Sequence, residues 1–142
     1  MRIVTALLAA SALGLPVSKG YGQTYTCLPA SDSLTINLLG YVVGLVTSTD
    51  STSVAHRVRY GLPTTTASKV TVVTAAKTCT TAAAKYHSAV RPAGTPAISR
   101  TLIVIKIGST NYVVQDINEA AGEFGRTVIF DKNWVRLTEW NS

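Results

Sequence analysis

Motifs that usually mark a catalytic or metal site are missing from this 142-residue sequence. Its only two cysteines, Cys27 and Cys79, form neither a C-x-x-C pair nor a cluster with histidine, which argues against a redox motif and a zinc site. The nucleophile motif G-x-S-x-G and the EF-hand calcium loop are also absent. We therefore assign no catalytic residue, no metal ligand and no cofactor from motifs.

The sequence also lacks a concentrated run of positive charge. It has 13 lysine and arginine residues against 7 acidic ones, a formal net charge of +6, but the basic residues are scattered, and Arg57 with Arg59 is the densest pair. Nucleic-acid modules usually show a basic stripe with interleaved aromatic residues. We predict no nucleic-acid partner.

No apolar run after residue 22 is long enough for a membrane helix. The longest, residues 34–46, is interrupted by polar residues and by Gly40 and Gly44, whereas a spanning helix needs about 20 apolar residues. We predict no transmembrane segment in residues 23–142. Because Leu34, Ile36 and Leu38 alternate, we interpret 34–46 as one strand bent at the glycines or as two strands.

The first 22 residues have the layout of a secretory signal peptide. Met1-Arg2 gives a positive start, residues 3–15 are mostly apolar, and Gly20 and Gly22 are small residues three and one positions before a cleavage ahead of Gln23. We predict that residues 1–22 are the signal peptide and that residues 23–142 form a single exported domain. Its location would be periplasmic or extracellular.

Export changes how the two cysteines are interpreted. In an oxidising compartment, a pair of cysteines in a chain of this size favours an intramolecular disulfide. We predict a bridge between Cys27 and Cys79, with two free buried thiols as the alternative.

Two segments carry helix signals. Asp50 suits a helix start and Gly61 a helix end, which predicts a short helix over residues 51–60. A longer helix is predicted after Thr74, which can cap it, because one helical face collects the residues Cys79, Ala82, Ala83, Tyr86 and Val90.

The last third of the chain predicts two hairpins. Residues 101–107 and 112–115 flank a turn, and residues 126–130 and 134–140 flank another. With a short strand over 70–73, the pattern gives an α+β fold. We expect two helices, with the longer one packed on a C-terminal antiparallel sheet of about four strands.

Three sets of residues are candidates for chemistry or binding. His56 and His87 could each act as a general base, although both fall on predicted polar helix faces. The oxygen-bearing side chains of the loop from Asp116 to Glu123 suit a cation but do not match the EF-hand spacing. We interpret that loop as solvated and leave cation binding open.

The third set is aromatic. In one continuous strand, Trp134 and Trp140 would share a face with Arg136 and Thr138. Such an aromatic and cationic strip near a sheet edge is a candidate interaction surface. The alternative is that Trp134 completes the core and Trp140 ends a frayed strand.

Several short stretches resemble a known group of proteins. The residues VTVVT and KTCTTAAAKY between Val70 and Tyr86, and YVVQD, AGEF and VIFDKNW between Tyr112 and Leu137, are similar to an uncharacterised family of short exported bacterial proteins. The resemblance implies a bacterial envelope or secreted location. It supplies no catalytic residue, because that family has no assigned activity.

These observations favour a non-enzymatic binding module of the bacterial envelope. Its partner would be a protein, a peptide or an envelope component bound at the face or edge of the C-terminal sheet. The alternative is a small secreted hydrolase that uses His56 or His87. An enzyme would require a histidine, a nucleophile and an acid to converge in one pocket.

Overall fold

The computed structural model describes residues 17–20, 23–64, 69–118 and 126–140. These residues form three helices and seven strands of one mixed sheet. In chain order, the elements are β1 (Val17–Gly20), β2 (Gln23–Cys27), α1 (Ser33–Thr47), α2 (Ser51–Tyr60), β3 (Val70–Val72), α3 (Ala76–Val90), β4 (Arg100–Ile107), β5 (Asn111–Asp116), β6 (Thr127–Asp131) and β7 (Arg136–Trp140).

The sheet is larger than the four strands expected from the sequence. The predicted antiparallel run β4-β5-β6-β7 is present, but β4 is central rather than an edge. On the side of β4 that does not face β5, the first half of the strand pairs in parallel with β2 and the second half pairs with β3. β2 in turn pairs with β1. The long-range β2–β4 pairing leaves no local turn signal, so hairpin patterns could not predict it.

Helices cover both faces of the sheet, and each face has its own core. On one face α3 packs on alternate strand residues that include Leu102, Val104 and Val128. On the other face α1 and α2 pack over Ile103, Ile105 and neighbouring residues. The α+β class is therefore confirmed, but with three helices rather than two in the described residues.

The strand prediction for residues 34–46 is wrong, because this segment is α1. Asp32 caps the helix by accepting a hydrogen bond from the Leu34 N–H at 2.9 Å. The buried residues Thr35, Val42, Leu45 and Val46 follow helical spacing. The outward positions are also apolar, so the sequence shows no contrast between a helical and an extended pattern.

The predictions for the other two helices are confirmed. Asp50 caps α2, and Gly61 ends it in the left-handed region at φ 73°. α3 buries Cys79, Ala82, Ala83 and Tyr86 against the sheet. Its N-cap, however, is Ala75, which makes no side-chain hydrogen bond, so Thr74 is not the cap.

The predicted disulfide is confirmed. Cys27 at the end of β2 is bonded to Cys79 in the first turn of α3, with 5.9 Å between the Cα atoms. Both cysteines are fully buried. The bridge joins the N-terminal strand pair to the helix that covers the same face of the sheet.

No helix among the described residues is long and apolar enough to span a membrane. The predicted signal peptide lies outside the described residues except for its residues 17–20, which form β1. The leader and its cleavage remain predictions.

Candidate functional site

The two histidines proposed for a hydrolase do not come together. His56 belongs to α2 and His87 to α3, and these helices lie on opposite faces of the sheet. A seven-stranded sheet therefore separates the two imidazoles. Each must be considered with its own neighbours.

His87 is half-buried and borders a buried polar cluster at the start of β4. Its Nε2 lies 2.8 Å from the Thr95 carbonyl oxygen, so Nε2 carries the proton and donates it. Nδ1 faces the Arg100 guanidinium at 3.4 Å. The imidazole thus links a loop to a buried arginine, and no serine or cysteine nucleophile is among its hydrogen-bond partners in the described residues.

Arg100 and Asp116 form a fully buried ion pair in this cluster. Arg100 Nη1 donates to Asp116 Oδ2, and the two side chains are 1% and 0% exposed. The guanidinium also lies over the Tyr86 ring, 5.1 Å from its centroid. Asp116 Oδ1 accepts the Asn118 N–H at 2.9 Å. The cluster ties β4, β5 and α3 together and is structural.

This placement changes the interpretation of the acidic loop. Asp116, its first predicted ligand, is buried against Arg100 instead of facing solvent. Glu119 and Glu123 lie outside the described residues. Within the part of the chain that the structure describes, no three His, Cys, Asp or Glu side chains gather as a metal site would require.

His56 lies at an open groove of about 410 Å³ between α1 and α2. The groove is lined by Gly40, Tyr41, Gly44, Leu45, Ser48, Asp50, Ser53 and His56. Gly40 and Gly44 lie one turn apart, and a Cβ added to either would meet nothing within 4 Å. The missing side chains leave the groove open along α1.

The groove contains a serine, a histidine and an aspartate, but their bonding order is not that of a catalytic triad. In a triad the carboxylate orients the histidine and the histidine activates the serine. Here Asp50 Oδ2 accepts from Ser48 Oγ at 2.6 Å and from Ser53 Oγ at 3.3 Å. The Ser48 hydroxyl is the main reason that the pKa of Asp50 is lowered, and His56 stacks on Tyr60 instead.

Arg57, one turn along α2 from Ser53, is buried without a carboxylate partner among the described residues. It is 1% exposed. Nη1 donates to the carbonyls of Leu45 and Ser48 at 2.6 and 2.8 Å, and Nη2 to that of Thr64 at 3.1 Å. These carbonyls include the negative end of α1, so Arg57 serves as a C-terminal cap supplied by the next helix.

The proposed aromatic strip is not a single surface. Trp134 precedes β7 with φ 63° and stacks on Tyr112 at 4.0 Å, on the α3 face of the sheet. Trp140 is 4% exposed and packs between Tyr41 and Tyr60 on the opposite face. A register shift between β6 and β7 and the left-handed Trp134 end the regular alternation.

The exposed residues at this edge are the neighbours of the tryptophans. Val135 and Leu137 are 57% and 40% exposed, and Arg136 is exposed and reaches Glu139 at 3.2 Å. β7 is the last strand in the sheet order, so its outer backbone groups face no further strand among the described residues. Val135, Arg136 and Leu137 with this backbone are called the β7 edge surface below.

Sequence reasoning missed the two buried arginines. In the sequence Arg57 is only half of the densest basic pair, and no motif marks Arg100. The sequence does indicate that Asp116 is buried, because it occupies one of the alternate positions of β5 that face the α3 core.

Comparisons with protein-family models, curated proteins and solved structures return no match to this chain.

Proposed function

We propose that this chain is an exported, non-enzymatic interaction module of the bacterial cell envelope, periplasmic or extracellular. It binds a protein or peptide partner through the β7 edge surface. The disulfide supports export, because such bonds persist in oxidising compartments. The predicted leader supports the same location.

The main support for partner binding at this surface is an open sheet edge next to exposed apolar side chains. Unpaired N–H and C=O groups on an edge strand are a template for an added strand. Val135 and Leu137 place apolar area beside that template. A partner segment in extended conformation would satisfy the backbone groups and cover the two side chains together.

Of the three residues predicted for the surface, only Arg136 is exposed enough for extensive direct contact. Trp134 is half-buried and fixes the turn before β7 by stacking on Tyr112. Trp140 anchors the end of β7 in the core. In this proposal the tryptophans position the edge strand and the residues between them meet the partner.

The test is affinity capture from exporting cells with the exported protein as bait. Val135→Asp combined with Leu137→Asp places charge on the apolar part of the surface and is expected to reduce the captured partner by about tenfold or more. Ile98→Asp is the matched control, since Ile98 is 53% exposed outside this edge. Equal loss with the control, or no loss with the double variant, would refute the assignment.

A hydrolase remains the second candidate, favoured by one observation: the groove holds Ser48, Asp50, Ser53 and His56 together. Asp50 instead caps α2 by accepting the Ser53 N–H at 2.9 Å, and its other hydrogen bonds go to the serine hydroxyls. We expect no labelling of the exported protein by a serine-reactive phosphonate. Labelling that disappears in His56→Ala would instead establish the hydrolase.

A further inference from the structure

β1 covers one edge of the sheet, opposite to β7. It pairs antiparallel with β2, with Val17 opposite Thr26 and Gly20 opposite Gln23, and it ends the sheet order on that side. β1 also contacts α3, which contacts β2 as well. The strand therefore lies against both the edge of β2 and α3.

The sequence predicts that this strand is removed on export. All of β1 lies within the predicted signal peptide, and the predicted cleavage ahead of Gln23 falls at the start of β2. β2 would stay in place, because it pairs with β4 and Cys27 is bonded to Cys79. Its other edge would lose its partner.

We propose that cleavage of the leader frees the position of β1 as a binding site for an extended peptide of a partner, which adds antiparallel to β2 as β1 does. The inference rests on the predicted leader and is independent of the β7 edge surface. β2 has the sequence QTYTC, without the lysine or proline that commonly protects an edge strand. Val-Ser-Lys-Gly of β1 is the prototype of the bound segment.

The backbone directions show which groups the peptide would meet. The Thr24 N–H donates to Ser99 Oγ at 3.0 Å, and the Leu28 N–H donates to the Leu102 carbonyl at 2.9 Å. The backbone N–H and C=O groups of the even-numbered residues therefore point toward β4. Backbone directions alternate along a strand, so the N–H and C=O groups of Tyr25 point toward β1. Tyr25 and Ser18 are opposite each other and exchange the two backbone bonds. The peptide residue opposite Tyr25 therefore cannot be proline.

The experiment follows the amide hydrogen exchange of Tyr25 by NMR in the protein recovered after export. The probe is a capped synthetic peptide spanning residues 16–21. At about ten times its Kd, the peptide is expected to slow exchange at Tyr25 by about tenfold. The same peptide with Ser18→Pro is expected to have no effect. The Thr24 amide is the internal control, because its bond to Ser99 exists without the peptide.

Three results would overturn the inference. The exported protein could retain residues 17–20, the peptide could leave Tyr25 exchange unchanged, or a dimer could protect Tyr25 without peptide and so assign the edge to a second copy. The Val135→Asp/Leu137→Asp variant is expected to keep the peptide effect. This variant therefore distinguishes loss of peptide binding at β2 from loss of partner binding at the β7 edge surface.

Discussion

At the residue scale, the most consequential side chain is the buried Arg57. It satisfies three carbonyl oxygens at the junction of α1, α2 and the following loop. Replacing it with alanine would leave those carbonyls without their donor and open a cavity. Arg57→Ala is therefore expected to lower the free energy of unfolding by about 3 kcal/mol or more.

Urea denaturation would check this prediction, with Arg59→Ala as the control. Arg59 carries the same charge two positions along α2 but is exposed. Its loss should change the stability by no more than about 0.5 kcal/mol. Equal destabilisation by the two variants would show that the bonds of Arg57 are not responsible.

Asp116 is the second residue whose removal should be costly. Asp116→Asn keeps the shape but leaves the Arg100 charge buried without its counter-charge. Breaking one partner of such a pair typically costs about 3–5 kcal/mol. Thermal or urea unfolding should show this loss. Arg136→Ala, which breaks the exposed pair with Glu139, should cost no more than about 1 kcal/mol.

At the scale of elements, α1 contains two glycines that its packing does not require. A Cβ at Gly40 would meet no atom within 4 Å, and glycine in a helix interior is less favourable than alanine by about 0.5–1 kcal/mol. Gly40→Ala should therefore raise the unfolding midpoint in urea, since nothing in the described residues opposes the methyl group.

Gly61 provides the opposite case. Its φ of 73° is unfavourable for alanine, and a Cβ there would lie 3.1 Å from Leu137 Cδ1. Gly61→Ala should destabilise the protein by about 1 kcal/mol or more. A lower midpoint for Gly40→Ala, or an unchanged one for Gly61→Ala, would contradict this account of the two helices.

The contrast between α1 and α2 shows where the sequence was informative. α2 has a capping aspartate, a terminal glycine and a polar face, so its bounds could be predicted. α1 is apolar on its outer face as well, with Ile36 53% and Tyr41 46% exposed. The order of apolar residues then does not distinguish a helical from an extended period, and its alternation predicts a strand where the structure has a helix.

The candidate sites were less predictable than the elements. The even spacing of Trp134 and Trp140 predicts one shared surface, but a register shift and a left-handed residue place them on opposite faces. The burial of Arg57 and Arg100 depends on carbonyls and a carboxylate distant in sequence. Such contacts appear only once the helices and strands are packed.

At the scale of the whole molecule, the disulfide joins β2 to the covering helix across 52 residues of chain. For a loop of that length, the chain-entropy model gives about 4 kcal/mol of stabilisation. The double variant Cys27→Ala/Cys79→Ala should lose up to that amount in urea unfolding. Chemical reduction of the unchanged protein should give a comparable loss, while equal stability of oxidised and reduced protein would contradict the role of the bridge.

In the proposed exported molecule, the β7 and β2 edges would be two surfaces for strand addition. They lie at opposite ends of the sheet order, so a partner at one edge does not exclude a partner at the other. Only the β2 edge depends on removal of the leader. Processing would thus replace the β1 edge of the sheet with the β2 edge.

Export with cleavage ahead of Gln23 can be tested by the intact mass of the protein recovered from exporting cells. We predict the mass of residues 23–142, with or without cyclisation of Gln23, lowered by the two hydrogens lost in the Cys27–Cys79 bond. Recovery of the whole chain in the cytoplasm, with both thiols free to react in denaturant, would show that the protein is neither exported nor cleaved.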